Sequence, residues 1–366
     1  MHPISRAIKE SVSGPPMRKA PNRARLWSNQ ALVLLLCASV LGALFIGAYP
    51  VNASQVILAI QEGLGWSQDN DNASVTFLIW HLRLPRILLA TVVGAGLAIS
   101  GAAIQGLFRN PLADPALIGI TSGAMVFAVA GIFFATSLLQ SFSTILGYAS
   151  IMILAFLGSF ISTFLVYRLA TSEGRTAIAT LLLAGIAITA LGGALTGLMT
   201  YFSTEDELRD ITFWTLGSLG GATWQMLAVI GPIVSIASFI LIKNAAKLDL
   251  LLLGEQEAQY LGLNLQQLKW LIIGCTALIV GACVAVSGVI SFIALVVPHL
   301  IRLLKGTSHL PLLIGSALLG AVLLIWADNL ARTIIAPAEL PIGILTAILG
   351  APFFIWLLLK SRQQFI

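Results

Sequence analysis

What most constrains this chain is a succession of long apolar runs. Ten of them, at 31–49, 84–107, 114–136, 146–168, 176–199, 224–243, 268–289, 292–304, 311–333 and 342–360, are separated by short polar connections. A helix needs about 20 residues to cross a hydrocarbon layer about 30 Å thick, and there only helices and closed barrels satisfy their own backbone. Barrel strands alternate over segments of about 10 residues, whereas these runs are continuous. With 58% hydrophobic and only 10% charged residues, the 366-residue chain lacks the polar surface of a soluble domain. The prediction is an all-α polytopic membrane protein with ten transmembrane helices. The run 292–304 is short for a crossing, so it is expected to be buried against neighbours or to form one half of a helical pair.

Residues 1–30 are polar and carry Arg6, Lys9, Arg18, Lys19, Arg23 and Arg25, which reads as a flexible cytoplasmic tail ahead of a 31–360 transmembrane domain. The first run has the long leader and length of an uncleaved span, not of a signal peptide. With the amino terminus inside, all but four of the 20 Lys and Arg residues fall on the cytoplasmic side. The four are Arg83, Arg86, Arg209 and Arg332, and the external connections add Glu62, Asp69, Asp71, Glu205, Asp206, Glu207 and Asp210. This asymmetry places both termini in the cytoplasm. The net charge of +5 therefore reports orientation and not a nucleic-acid surface.

Cys37, Cys275 and Cys283 all sit in apolar runs and suggest packing, not a disulfide or metal framework. Small residues recur at four-residue spacing: Gly94, Ala98, Ala102 and Gly106; Gly193 and Gly197; Gly343, Ala347 and Ala351. Such stripes let helix backbones approach closely, and packing within one subunit is the simplest expectation.

No phosphate-binding loop, zinc-protease motif or nucleophile elbow is present in the sequence. Ionisable residues are scarce inside the runs, with Asp328 and His299 near helix ends. An ion-coupled secondary transporter keeps such groups at mid-membrane, and an intramembrane enzyme needs paired ones. Their scarcity points to an energy source on another chain.

Four stretches carry a family resemblance. The first is Arg83-Leu84-Pro85-Arg86, followed by the segment from Gln105 through Asn110-Pro111-Leu112 to Asp114-Pro115. The second runs from Phe213-Trp214 to Gly220-Gly221, and the third from Leu253-Gly254-Glu255 to Leu261-Gly262-Leu263. The fourth runs from Ser287-Gly288 through Val297-Pro298-His299 and Asp328 to Arg332, then Glu339 to Gly343 and Leu349 to Pro352. Together they resemble the FecCD family, the membrane subunits of ABC importers for iron–siderophore complexes, haem and cobalamin. The resemblance implies a permease in the bacterial inner membrane that pairs with a second copy of itself. It further implies two separate ATP-binding subunits and a periplasmic substrate-binding protein, with no cofactor and no catalysis in this chain.

The resemblance also assigns sites. Within 249–265, Gly254, Glu255, Ala258, Leu261 and Gly262 would couple to the ATPase, with Glu255 available to a basic residue of that partner. Glu257, Tyr260 and Leu261 at i, i+3 and i+4 suit a short helix ending near Gly262, which would otherwise be an ordinary surface helix. Arg83, Arg86 and Arg332 would dock carboxylates of the binding protein; the plainer reading is helix-end snorkelling. Asn110 and Leu112, with Thr176 and Ala177, would form a cytoplasmic gate, where Pro111 alone suggests only a tight turn. His299 and His81 are read as helix-end and interfacial residues, not ligands. The 207–224 run looks most like that of haem importers, with siderophore or cobalamin as alternatives.

Overall fold

A computed structural model describes residues 22–362 apart from 48, 67–72, 136 and 173–174. Residues 1–21 of the expected tail, and Asp69 and Asp71, lie outside the described residues. Every apolar run is helical. They form α1 (Asn22–Phe45), α3 (Ala73–Phe108), α4 (Ile120–Phe133), α6 (Tyr148–Ala170), α7 (Ile178–Phe202) and α9 (Trp224–Lys243). After these come α12 (Leu265–Ser287), α13 (Ile293–Lys305), α14 (His309–Thr333) and α15 (Ile342–Arg362). Between them lie the short helices α2 (Ala53–Gly63), α5 (Gln140–Leu146), α8 (Glu205–Leu216), α10 (Ala245–Leu251) and α11 (Glu255–Tyr260). A two-residue antiparallel hairpin pairs β1 (Thr171–Ser172) with β2 (Arg175–Thr176).

Six helices, α3, α6, α7, α9, α12 and α14, are long and apolar enough to cross a membrane. The apolar parts of α1 (Asn29–Phe45), α4 (Ile120–Phe133) and α15 (Ile342–Trp356), and the 13-residue α13, fall short of that length, so ten crossings do not follow from the fold alone. The 114–136 run in particular is broken. Asp114 caps a 3-10 turn (Pro115–Ile118) by accepting from the Ala116 N–H at 2.8 Å, and α4 begins only after Gly119. The short α13 is buried, as expected, along Ile293, Ala294, Val297, Pro298 and Ile301.

Packing is closest around α3. A π-turn (Leu78–Arg83) precedes Pro85, whose ring cannot sit over an ordinary α-helical carbonyl. Further along, a Cβ at Gly94 would lie 2.4 Å from the Gly320 carbonyl oxygen, so α3 and α14 touch backbone to backbone. Gly101 meets the α13 backbone at Ala294 in the same way. The first small-residue stripe therefore packs within the subunit, where dispersion rather than water expulsion holds helices together. The second does not: among the described residues nothing lies within 4 Å of a Cβ placed at Gly193 or Gly197. Correspondingly, only 17% of the apolar stretch of α7 is buried, against 78% for α12, which makes α7 the least buried of the six long apolar helices.

Candidate functional site

At the end of the bundle read as external, charges gather between α3 and α14. Arg86 donates from Nε to both Asp328 oxygens at 3.0 Å and from Nη1 to Glu339 Oε1 at 2.9 Å. Arg332, one turn after Asp328, brings Nε to 3.4 Å from Asp328 Oδ2 and donates from Nη2 to Asn329. Arg83 lies in the wall of the site and donates to the carbonyls of Leu44 and Tyr49. Docking and snorkelling both call for exposed guanidinium groups, and these three are largely enclosed. Arg83 and Arg332 are buried, and Arg86 keeps about a tenth of its side chain exposed. Arg83 and Arg86 lie well inside α3, the α1–α2 connection and the 334–341 loop cover the cluster, and a buried guanidinium needs internal acceptors. Arg86 and Arg332 share Asp328, Glu339 pairs with Arg86, and Arg83 has only backbone carbonyls among the described residues, so the three guanidinium groups outnumber the two carboxylates and leave an excess positive charge.

Backbone contacts bring the second and fourth motif stretches together beside this cluster. The Ser218 N–H donates to the Ser287 carbonyl at 2.8 Å, and the Ile342 N–H to that of Gly217 at 3.1 Å. α8, which leads into the turn, starts with a capping box of Thr204 and Glu207, a signal present in the sequence.

At the opposite end, α11 forms as the spacing predicts. Gly254 precedes it at φ +123°, and Gly262 follows it at φ +85°. The Leu263 N–H returns to the Ala258 carbonyl and that of Gly262 to Gln259, a Schellman closure that wants glycine at the left-handed position. Ala258 is fully buried, whereas Leu253, Tyr260 and Leu261 project outward, Tyr260 being 91% exposed.

Glu255 does not stand free for a partner's basic residue. Its Oε2 accepts from Lys269 Nζ at 2.9 Å, and that same ammonium donates to the Thr176 carbonyl at 2.9 Å. Gln266 then grips Thr176 from both sides, accepting from its N–H at 3.1 Å and donating to its Oγ1 at 2.8 Å. Gln266 Nε2 also donates to the Tyr167 hydroxyl. Gln266 and Lys269 were not singled out from the sequence, although their i, i+3 spacing puts them on one face of α12. A second tether starts from Asp249 of α10, which accepts from the His309 N–H at 2.8 Å and pairs with its Nδ1 at 2.7 Å.

Of the four residues that the resemblance assigns to a gate, Thr176 is buried in this clamp, and Ala177 is exposed as the N-cap of α7. Asn110 closes a separate turn, its Oδ1 accepting from the Leu112 N–H at 2.9 Å. The two pairs share no hydrogen bond among the described residues. The elements that follow them do touch, since a Cβ at Gly185 of α7 would lie 1.8 Å from the Leu117 carbonyl in the 3-10 turn.

A bundle with six helices long and apolar enough to cross a membrane, a charged cluster at one end and a short capped helix at the other is that of a polytopic membrane protein. The chain belongs to the FecCD transport family, which it matches over residues 32–360, and is an ABC importer permease of that family. It is 44% identical over 297 residues to the hemin transport system permease HmuU of Yersinia pestis, covering 80% of this chain and 87% of the relative. It is 40% identical over 310 residues to the vitamin B12 import permease BtuC of Citrobacter koseri, covering 84% and 91%. A solved inward-facing metal-chelate type ABC transporter superposes with a TM-score of 0.79 at 35% identity, covering 91% of this chain and 98% of that one. Permeases of this kind are multi-pass membrane subunits that work with ATPase and substrate-binding partners.

Proposed function

We propose that this chain forms, with a second copy of itself, the haem pathway of a binding-protein-dependent ABC importer in the bacterial inner membrane. The reading has ten spans, both termini in the cytoplasm, and ATP hydrolysed by two separate subunits. The observation that carries it is the outward-facing apolar surface of Leu253, Tyr260 and Leu261 on a helix end that lipid does not cover in this topology. Exposed apolar groups of that kind are explained by a protein partner.

The binding protein docks over the Arg83, Arg86 and Arg332 cluster, whose surplus charge attracts carboxylates and speeds association. The ATPase grips α11 through the segment Gly254–Gly262. Asn110, Leu112, Thr176 and Ala177 form the cytoplasmic gate. The likeness to a hemin permease supports haem as cargo, while the likenesses to a vitamin B12 permease and a metal-chelate transporter keep cobalamin and iron–siderophore complexes as the second reading. The ionisable pairs of the described residues sit at helix ends, which argues against a gradient-driven carrier.

Reconstitution into liposomes with the ATPase and binding protein tests the assignment. Haem uptake that requires ATP is expected. Uptake indifferent to ATP overturns the importer reading, and ATP-dependent uptake of cobalamin or a siderophore complex but not haem overturns the cargo.

A further inference from the structure

We propose that Lys269 is a positioning residue that carries displacement of the coupling helix α11 to the Thr176 hairpin, and through it to the amino-terminal end of α7. The inference rests on the importer reading above and names the link inside it.

Lys269 is buried, with 6% exposure, and its ammonium has two acceptors, one on each of the two parts. Glu255 Oε2 belongs to the first turn of α11, and the Thr176 carbonyl belongs to the residue directly before the α7 N-cap. A buried ammonium held between a carboxylate and a carbonyl is costly to leave unpaired, so movement of either acceptor draws the lysine and the other acceptor with it. On the other side, Gln266 fixes both the N–H and the hydroxyl of Thr176, so the hairpin responds as a unit and not by local fraying.

The surroundings allow that response. A cavity of about 510 Å³, lined among others by Arg175, Gln259, Asn264 and Leu265, opens beside the link. The element at its far end, α7, is the least buried of the six long apolar helices. A surface ion pair with no task would sit in water between long flexible side chains. This one is drawn inside, between the segment assigned to coupling and the segment assigned to the gate.

The test uses the full chain with Cys37→Ser and Ala177→Cys, assembled in nanodiscs with its ATP-hydrolysing partner. The readout is the rate at which a membrane-impermeant maleimide labels position 177, with and without ATP and vanadate. Lys269→Met is expected to abolish the nucleotide-dependent change in labelling while ATP hydrolysis continues. Lys269→Arg, which keeps donors for both acceptors, is expected to recover it, whereas Glu255→Lys combined with Lys269→Glu restores the ion pair but leaves the Thr176 carbonyl without a donor and is not. A full nucleotide response in Lys269→Met overturns the inference. Should that variant not assemble, Glu255→Gln decides: a weakened response supports the link and an undiminished one overturns it. If the complex with Lys269 intact neither hydrolyses ATP nor changes its labelling, the importer reading itself fails and the link falls with it. That outcome is distinct from a failure confined to Lys269→Met.

Discussion

Arg86 holds Asp328 along an entire edge of its guanidinium, with Nε 3.0 Å from each carboxylate oxygen and Nη2 2.9 Å from Oδ1. This ties α3 to α14 across a separation of 242 residues. The same carboxylate, 3% exposed, also faces Arg332 and so lets two guanidinium groups occupy one buried end. Removing one member of such a pair costs about 3–5 kcal/mol, because the other charge stays buried. Asp328→Ala is expected to lower the Tm in detergent strongly. Arg86→Lys keeps the charge but loses the fork and is expected to lower it less. Equal shifts would contradict this account.

Glu339 is the exposed member of the cluster, with 45% of its side chain accessible. Glu339→Gln raises the local positive charge without disturbing the buried core of the cluster. Association of the binding protein with nanodisc-held permease is then expected to quicken at about 0.05 M salt, and the gain to vanish at about 0.5 M, where screening acts within a few ångströms. Surface plasmon resonance reads both. A slower on-rate at low salt would argue against docking over this cluster.

Gly94 and Gly320 lie so close that a Cβ on either would come within 2.4 Å of the other's carbonyl oxygen. Gly94→Ala is expected to push α3 from α14 and cost about 1–3 kcal/mol, seen as a lower Tm. Gly193→Ala and Gly197→Ala meet no such neighbour within the subunit, so they should leave its Tm nearly unchanged. If both sets behave alike, the helix contacts described above are wrong.

For α11, the cap and the surface separate cleanly. Gly262→Ala meets open space but must hold φ +85°, a cost of about 1 kcal/mol, equivalent to roughly fivefold faster amide exchange in the helix. Tyr260→Ser touches an almost fully exposed side chain, so it should leave both exchange and Tm unchanged while reducing co-purification of the ATPase. Undiminished co-purification would remove the main support for the coupling surface.

Much of this was legible in the sequence. Continuous apolar runs become helices because backbone in hydrocarbon has no other partner for its polar groups. The Glu257, Tyr260, Leu261 spacing and Gly262 give α11 and its closure, and Thr204 with Glu207 announces α8. The reading of Arg83, Arg86 and Arg332 was less complete. A position near a helix end suggests solvent, but a linear pattern does not say which other segments fold over that end.

Local rules determined the helices and their caps, since each depends on neighbours within about one or two turns. Only the tertiary structure decided that Glu255 spends its charge on Lys269, that Thr176 is clamped from α12, and that Arg86 meets Asp328. It also decided which glycine stripe is buried and which is left open. Those pairings join residues 14, 90 and 242 positions apart, beyond the reach of any local rule, and they follow from where burial leaves a charged or polar group no partner except the one packing brings beside it.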